Sequence, residues 1–209
     1  MFHKKIIEQR LHHTETDMNN YENNEDISIL LQVKQGNEQA LALLMKRYYT
    51  DLYNYASRFG VNEMAVKDAI QEVFISLWHR RETANEIRSV RFYLVRAIKN
   101  RILKYLHHLK KKELLTPLQD KYEFNMEPSA EQQIIQKQTM DDNAEYLKNI
   151  LTRLPARQKE IIFLKYYLQL DNEQIAELMS INRQSVYNLL YESLQKLKTL
   201  VPSEFAMLH

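Results

Sequence analysis

A chain of 209 residues can bury one or two small cores, and the absence of Cys excludes disulfides, cysteine zinc sites and thiol catalysis. Only 2 Gly and 4 Pro, with no Asn-Gly hairpin signal, argue against sheet and for an all-α fold. The net charge of +2 excludes nothing by itself; no apolar run nears the roughly 20 residues that span a bilayer, and no signal peptide is evident, so a cytoplasmic location without membrane insertion is expected.

Residues 1–26 are polar and Asn-rich (Asn19, Asn20, Asn23, Asn24) and read as a tail. From residue 27 apolar residues recur at helical spacing: Leu30, Val33, Leu41, Leu44, Tyr48, Leu52, Tyr55 and Phe59. Gly36 and Asn37 predict a break between two helices, and Gly60 ends the second. A third helix is expected over about 63–78, with Val66, Ile70, Val73 and Leu77 on one face. Its opposite face carries Asp68, Gln71, Glu72 and Ile75, an acidic, hydrogen-bonding patch around one exposed isoleucine that suits protein docking.

A fourth helix is expected over about 90–109. Val95, Ile98, Ile102, Leu106 and Leu109 form its inner side; Arg96, Asn100, Arg101, Lys104, His107 and Lys111 form the other. From His79 to Lys112 eleven basic residues face only Glu82 and Glu86. A phosphate backbone is the natural partner of such a surface, and Trp78, Phe92 and Tyr93 beside it are candidates for stacking on unpaired bases or for the core. From Glu113 to Glu145 the sign reverses, with eight acids against Lys121 and Lys137, while Pro117 and Pro128 interrupt the periodicity. The domain division is therefore a helical domain at 27–112, a flexible acidic linker at 113–143, a second helical domain at 144–201 and a tail at 202–209.

In the second domain Pro155 opens a helix running to about Leu168. The segment DNEQIAELMSINRQSVYNLL (171–190) then reads as a helix-turn-helix. Ala176 permits close approach, Ile175 and Met179 point inward, Ile181 plugs the turn, and Val186 and Leu189 bury the second helix. Asp171 and Asn182 suit the two N-caps, and Ser180 stands where such turns usually carry Gly. The outward residues of the second helix are Arg183, Gln184, Ser185, Tyr187, Asn188 and Tyr191, where Arg suits guanine and Gln or Asn suits adenine. Seven Lys/Arg against five acids over 153–198 make this domain a weak binder of duplex DNA alone.

These segments resemble a known family. DAIQEVF (68–74) is similar to the polymerase-binding motif of sigma region two, and FYLVRAIKN (92–100) to the following segment in extracytoplasmic-function sigma factors. LPARQKEIIFLKYY (154–167) with the helix-turn-helix resembles region four, so the resemblance spans about 27–201. It implies that Asp68, Gln71, Glu72 and Ile75 dock on the β′ clamp of core RNA polymerase, with the β subunit as a further contact. Arg88, Arg96, Asn100, Arg101 and Lys104 would meet the −10 element. A flipped base would enter the loop at about 82–89, closed by Asn100. Arg183, Gln184, Ser185, Tyr187, Asn188 and Tyr191 would read the −35 element, the acidic linker would thread the nucleic-acid channel, and an anti-sigma protein could be a partner. Held on polymerase, each weak domain acts at high effective concentration.

Two other classes compete with a sigma factor. A free-standing helix-turn-helix regulator would need a self-complementary apolar surface and a palindromic target. An enzyme is disfavoured: His12/His13 and His107/His108 are adjacent pairs pointing about 100 degrees apart on a helix, and no Gly-rich phosphate loop, nucleophile elbow or HExxH occurs. No catalytic residue, metal site or cofactor is expected.

Overall fold

A computed structural model describes residues 23–112, 123–126 and 149–200 of the chain. Among these residues every regular element is a helix. Helix α1 covers 23–34, α2 Glu38–Ala56, α3 Glu63–His79 and α4 Val90–Lys112. A short stretch at 149–152 is α5, followed by α6 (Ala156–Ile162), α7 (Asn172–Met179) and α8 (Arg183–Leu200). Single 3-10 turns at Ser57–Phe59 and Arg81–Glu86 punctuate the first half.

Short polar side chains set the helix starts by accepting the amide hydrogens that a first turn leaves over. Asn37 takes the amides of Gln39 and Ala40 (2.9 and 3.1 Å) at α2, and Asn62 that of Ala65 (2.8 Å) at α3. Ser89 takes the amide of Phe92 (3.3 Å) at α4. Gly36, at φ 86°, turns the chain between α1 and α2, a left-handed position that suits glycine. Helix α1 begins earlier than the polar composition of 1–26 suggests, because Asp26 is a buried hydrogen-bond acceptor rather than part of a solvated tail.

The described chain forms two compact units whose boundaries fall inside helices. The first combines the residues up to Leu52 with Ile70–Ile98. Its core holds Leu30, Val33, Leu44, Tyr48, Leu52, Ile70, Val73, Leu77, Leu94, Val95 and Ile98, so most of the apolar stripe expected of α3 and the first part of that of α4 are buried here. Asp26 is 2% exposed and accepts from Arg47 and from the Tyr48 hydroxyl. Burial, followed by that hydrogen bond, pushes the Tyr48 phenol well above its ordinary range.

The second unit combines Tyr53–Ala69 with the described residues from Lys99 onward. Within it Tyr55, Phe59, Phe124 and Phe163 form one aromatic cluster, with edge-on contacts of 5.2 Å (Tyr55–Phe59) and 5.3 Å (Phe59–Phe124) and a 6.0 Å stacked pair (Tyr55–Phe163). Within 123–126 Phe124 is 1% exposed, so this part of the linker is packed. Asn125 donates its amide to the Arg58 carbonyl (2.8 Å) and accepts from the Arg58 guanidinium (3.2 Å). That guanidinium lies 4.4 Å from the Phe163 ring centre, and burial lowers it to about 10, which leaves it charged at neutral pH.

Two expectations for α4 are corrected. Leu109 is 39% exposed, and Leu106 only half-buried, because the inner stripe loses its cover toward the end of the helix. Lys99, counted from sequence with the basic surface, is 5% exposed. It lies four residues after Val95 and three before Ile102, which places it within the apolar stripe. The helix expected from Pro155 to Leu168 is continuous but loosens at Phe163–Tyr167 into a π-turn, where the Leu168 amide reaches back to the Phe163 carbonyl (3.0 Å).

Candidate protein and nucleic-acid interfaces

Along α3 the helical period delivers the outward face that the sequence predicts. Asp68, Gln71, Glu72 and Ile75 are all exposed, and Ile75 is 55% accessible. Beside the last of these lies an open apolar groove of about 450 Å3, lined by Glu38, Leu41, Met45, Gln71, Phe74, Ile75, Trp78 and His79. Leu41 belongs to the apolar periodicity read from the sequence, and Met45 was not singled out there. The structure leaves both half-buried at the groove, one turn apart on α2. The outward face of α3 is therefore an acidic rim with an apolar trough, a combination that suits an apolar anchor flanked by basic side chains.

The basic surface is partly as expected. Arg88 precedes α4, and Arg96, Asn100 and Lys104 are exposed along it, with Arg101 half-buried. The Arg88 carbonyl accepts from Asn23 (3.0 Å), which fixes the loop backbone. Trp78, Phe92 and Tyr93 are each half-buried; the Arg81 guanidinium sits 4.8 Å from the Trp78 ring centre. The loop expected to receive a flipped base is a 3-10 turn at Arg81–Glu86. Lys111 lies in α4 but its side chain is not described, and most of the acidic linker lies outside the described residues.

The helix-turn-helix forms as its local chemistry dictates. Asp171 accepts the amides of Glu173 and Gln174 (both 2.8 Å), while the Gln174 side chain accepts the Asp171 amide (3.1 Å), a complete capping box. Ser180 takes the left-handed conformation at φ 52°, and Asn182 caps α8 through the Ser185 amide (2.7 Å). Ile175, Met179 and Val186 are buried, as is Leu190, whereas Leu189 is half-buried.

Arg183, Gln184, Tyr187, Asn188 and Tyr191 are exposed on α8, and Ser185 is half-buried. They are not independent. Arg183 meets Glu173 at 3.0 Å, and Gln184 donates to Asn188 (3.1 Å). Hydrogen bonds from Asn172 and then Arg183 hold the Tyr187 phenol below its ordinary range, and the Tyr187 contact raises Arg183 in turn. Glu173 and Asn172 were missed from sequence, since a surface pairing across the turn leaves no periodic signal.

Two family models match in the same order as these surfaces: Sigma-70 region 2 over residues 44–112 and Sigma-70, region 4 over 144–197, together more than half of the chain. The chain belongs to the sigma-70 family. It has the two-region layout of the extracytoplasmic-function group and directs promoter-specific initiation by core RNA polymerase. Among curated relatives it is 23% identical to RNA polymerase sigma factor CnrH of Cupriavidus metallidurans, over 87% of this chain and 98% of that protein. It is 22% identical to sigma factor NccH of Alcaligenes xylosoxydans xylosoxydans, over 85% and 95%. Among solved structures, CnrH in complex with the cytosolic domain of CnrY shares the fold at a TM-score of 0.54 and 19% identity, covering 84% of this chain and 96% of that one. Sigma factor RpoE bound to the anti-sigma factor NepR from Bartonella quintana gives 0.53 at 16% identity, covering 78% and 94%. The family disfavours a free-standing regulator. Among the described residues no group of three or more His, Cys, Asp or Glu is placed to hold a metal, and no helix is long and apolar enough to cross a membrane.

Proposed function

We propose that the outward face of α3 is the principal polymerase-docking surface of this sigma factor, with Asp68, Gln71 and Glu72 meeting basic groups of the β′ clamp and Ile75 anchoring beside the groove. The observation that carries this reading is the exposure of all four side chains on one helical face next to an apolar trough. Region two, at 27–112, then presents Arg88, Arg96, Asn100, Arg101 and Lys104 to the −10 element. Region four, at 144–201, presents Arg183, Gln184, Ser185, Tyr187, Asn188 and Tyr191 to the −35 duplex, and the acidic stretch 113–143 connects them. The protein acts in the cytoplasm, has no catalytic role, and uses no cofactor.

The two structural relatives were solved with CnrY and with the anti-sigma factor NepR, which supports an anti-sigma partner for this chain too. A direct test is binding of purified core polymerase to the Asp68→Lys/Glu72→Lys variant. We expect affinity to fall at least about 100-fold, since like charge now faces like charge at a docking surface, with the helical circular dichroism unchanged. Unaltered affinity would remove the docking assignment.

A further inference from the structure

Of the six residues assigned to the −35 duplex, Arg183 is the only cation, and a carboxylate with no role so far stands beside it. Arg183 Nη1 donates to Glu173 Oε1 at 3.0 Å. Tyr187, one turn along α8, accepts from Asn172 and from Arg183. The backbone fixes both ends of the ion pair. Glu173 is the second residue of α7, and the Asp171 carboxylate holds its amide at 2.8 Å. Arg183 is the first residue of α8, which Asn182 caps through the Ser185 amide at 2.7 Å.

Stability does not account for this pair. Its side chains are 61% and 75% exposed, and an ion pair so open to water contributes little to folding. The start of α8 does not call for a cation either, since the helix dipole there favours an anion. What the pair changes is the choice of partner open to Arg183. A bare guanidinium near a duplex is drawn to any phosphate, a contact that carries no sequence information. A carboxylate beside it weakens that attraction, because it already supplies the charge that a phosphate would bring. The guanine edge instead offers two uncharged acceptors, O6 and N7, and matching them depends on how the guanidinium fork is turned.

We propose that Glu173 is a specificity-determining residue of this domain: it aims the Arg183 guanidinium at a guanine edge and holds it off the phosphates. Glu173 acts through Arg183 and is a positioning residue rather than a base contact. This rests on the assignment of Arg183 to the −35 duplex given above. The modest charge of the domain, seven Lys/Arg against five acids over 153–198, has the same consequence. A reading face whose single cation is already partnered gains little from random duplex and much more from the right base.

The test is selection from a promoter pool with a randomised −35 region, by core polymerase assembled with each variant of the full chain and read by sequencing. Wild type should select guanine strongly at one position. Glu173→Gln keeps the size of the side chain and the backbone cap, and should weaken that one preference about 10-fold while the other positions stay as they were. The same variant, without polymerase, should bind random duplex about 3-fold more tightly at low salt. Glu177→Gln removes a carboxylate one turn further along α7 and controls for net charge, so it should keep the guanine preference. Arg183→Ala and Arg183→Ala/Glu173→Gln should select the same sequences, because the carboxylate acts only through the guanidinium. The proposal is overturned by a Glu173→Gln protein that selects or binds like wild type, by equal loss in Glu177→Gln, or by a double variant that selects differently from Arg183→Ala. A wild type that selects no −35 base would overturn the −35 reading itself, and the proposal with it.

Discussion

Among the described residues each of the two units buries one carboxylate, and each carboxylate is met by a tyrosine hydroxyl and a cation. In the first unit Asp26 takes Tyr48 and Arg47, about 20 residues away in sequence, and the Arg47 side chain stays 32% exposed while reaching Glu25 as well (3.0 Å). In the second, Glu160 takes Tyr55 and Lys99, 105 and 61 residues away, with both charged groups out of water. The same three chemical groups thus do different work. The Asp26 cluster staples neighbouring helices at a wet edge; the Glu160 cluster commits segments that the chain itself leaves far apart.

That contrast sets the order of expected effects. Glu160→Gln strands a buried ammonium opposite a neutral amide, and we expect about 3–5 kcal/mol off the stability of the second unit by urea unfolding. Asp26→Ala removes an acceptor from a partly hydrated cluster and should cost about 1–3 kcal/mol. A loss at Asp26 equal to that at Glu160 would erase the distinction between the two. Asp171→Ala opens the capping box of α7 and should cost about 1 kcal/mol, seen as faster hydrogen exchange in α7 without change in the first unit.

Alkaline pH, compared between wild type and Tyr48→Phe, probes the Asp26 cluster. The Tyr48 phenol is raised in the folded state, so its contribution is intact below the ordinary phenol value of 10.0 and is lost as pH climbs beyond it. Wild type should therefore lose stability more steeply than Tyr48→Phe above pH 10. Parallel curves would show that Tyr48 does not titrate as the buried acid of that cluster.

The same contrast explains what could be read from sequence. Val66, Ile70, Val73 and Leu77 declared the buried side of α3 because a 3.6-residue period is a local property, and the outward face followed by subtraction. Asp171, Asn182 and Ser180 were legible for a similar reason: caps and turns act within three or four residues. Lys99 sat in the apolar stripe of α4, so the sequence did carry a sign of its burial, but a run of basic neighbours concealed it. Its partner Glu160 and the buried Phe124 had no such sign. Contacts between distant segments obey no period, and an aromatic in an acidic, aperiodic stretch looks like any other linker residue. Leu109 shows the converse: periodicity names a helix's apolar side, yet burial also requires something to cover it.

The most direct test of the whole account is run-off transcription with core polymerase on a genomic fragment library, with and without this protein. The account predicts discrete new start sites that appear only with the protein and share two upstream elements. Loss of the second element's influence is expected in Arg183→Ala, worth about 1–3 kcal/mol of base discrimination. No new start site from a protein that binds core polymerase normally would contradict it.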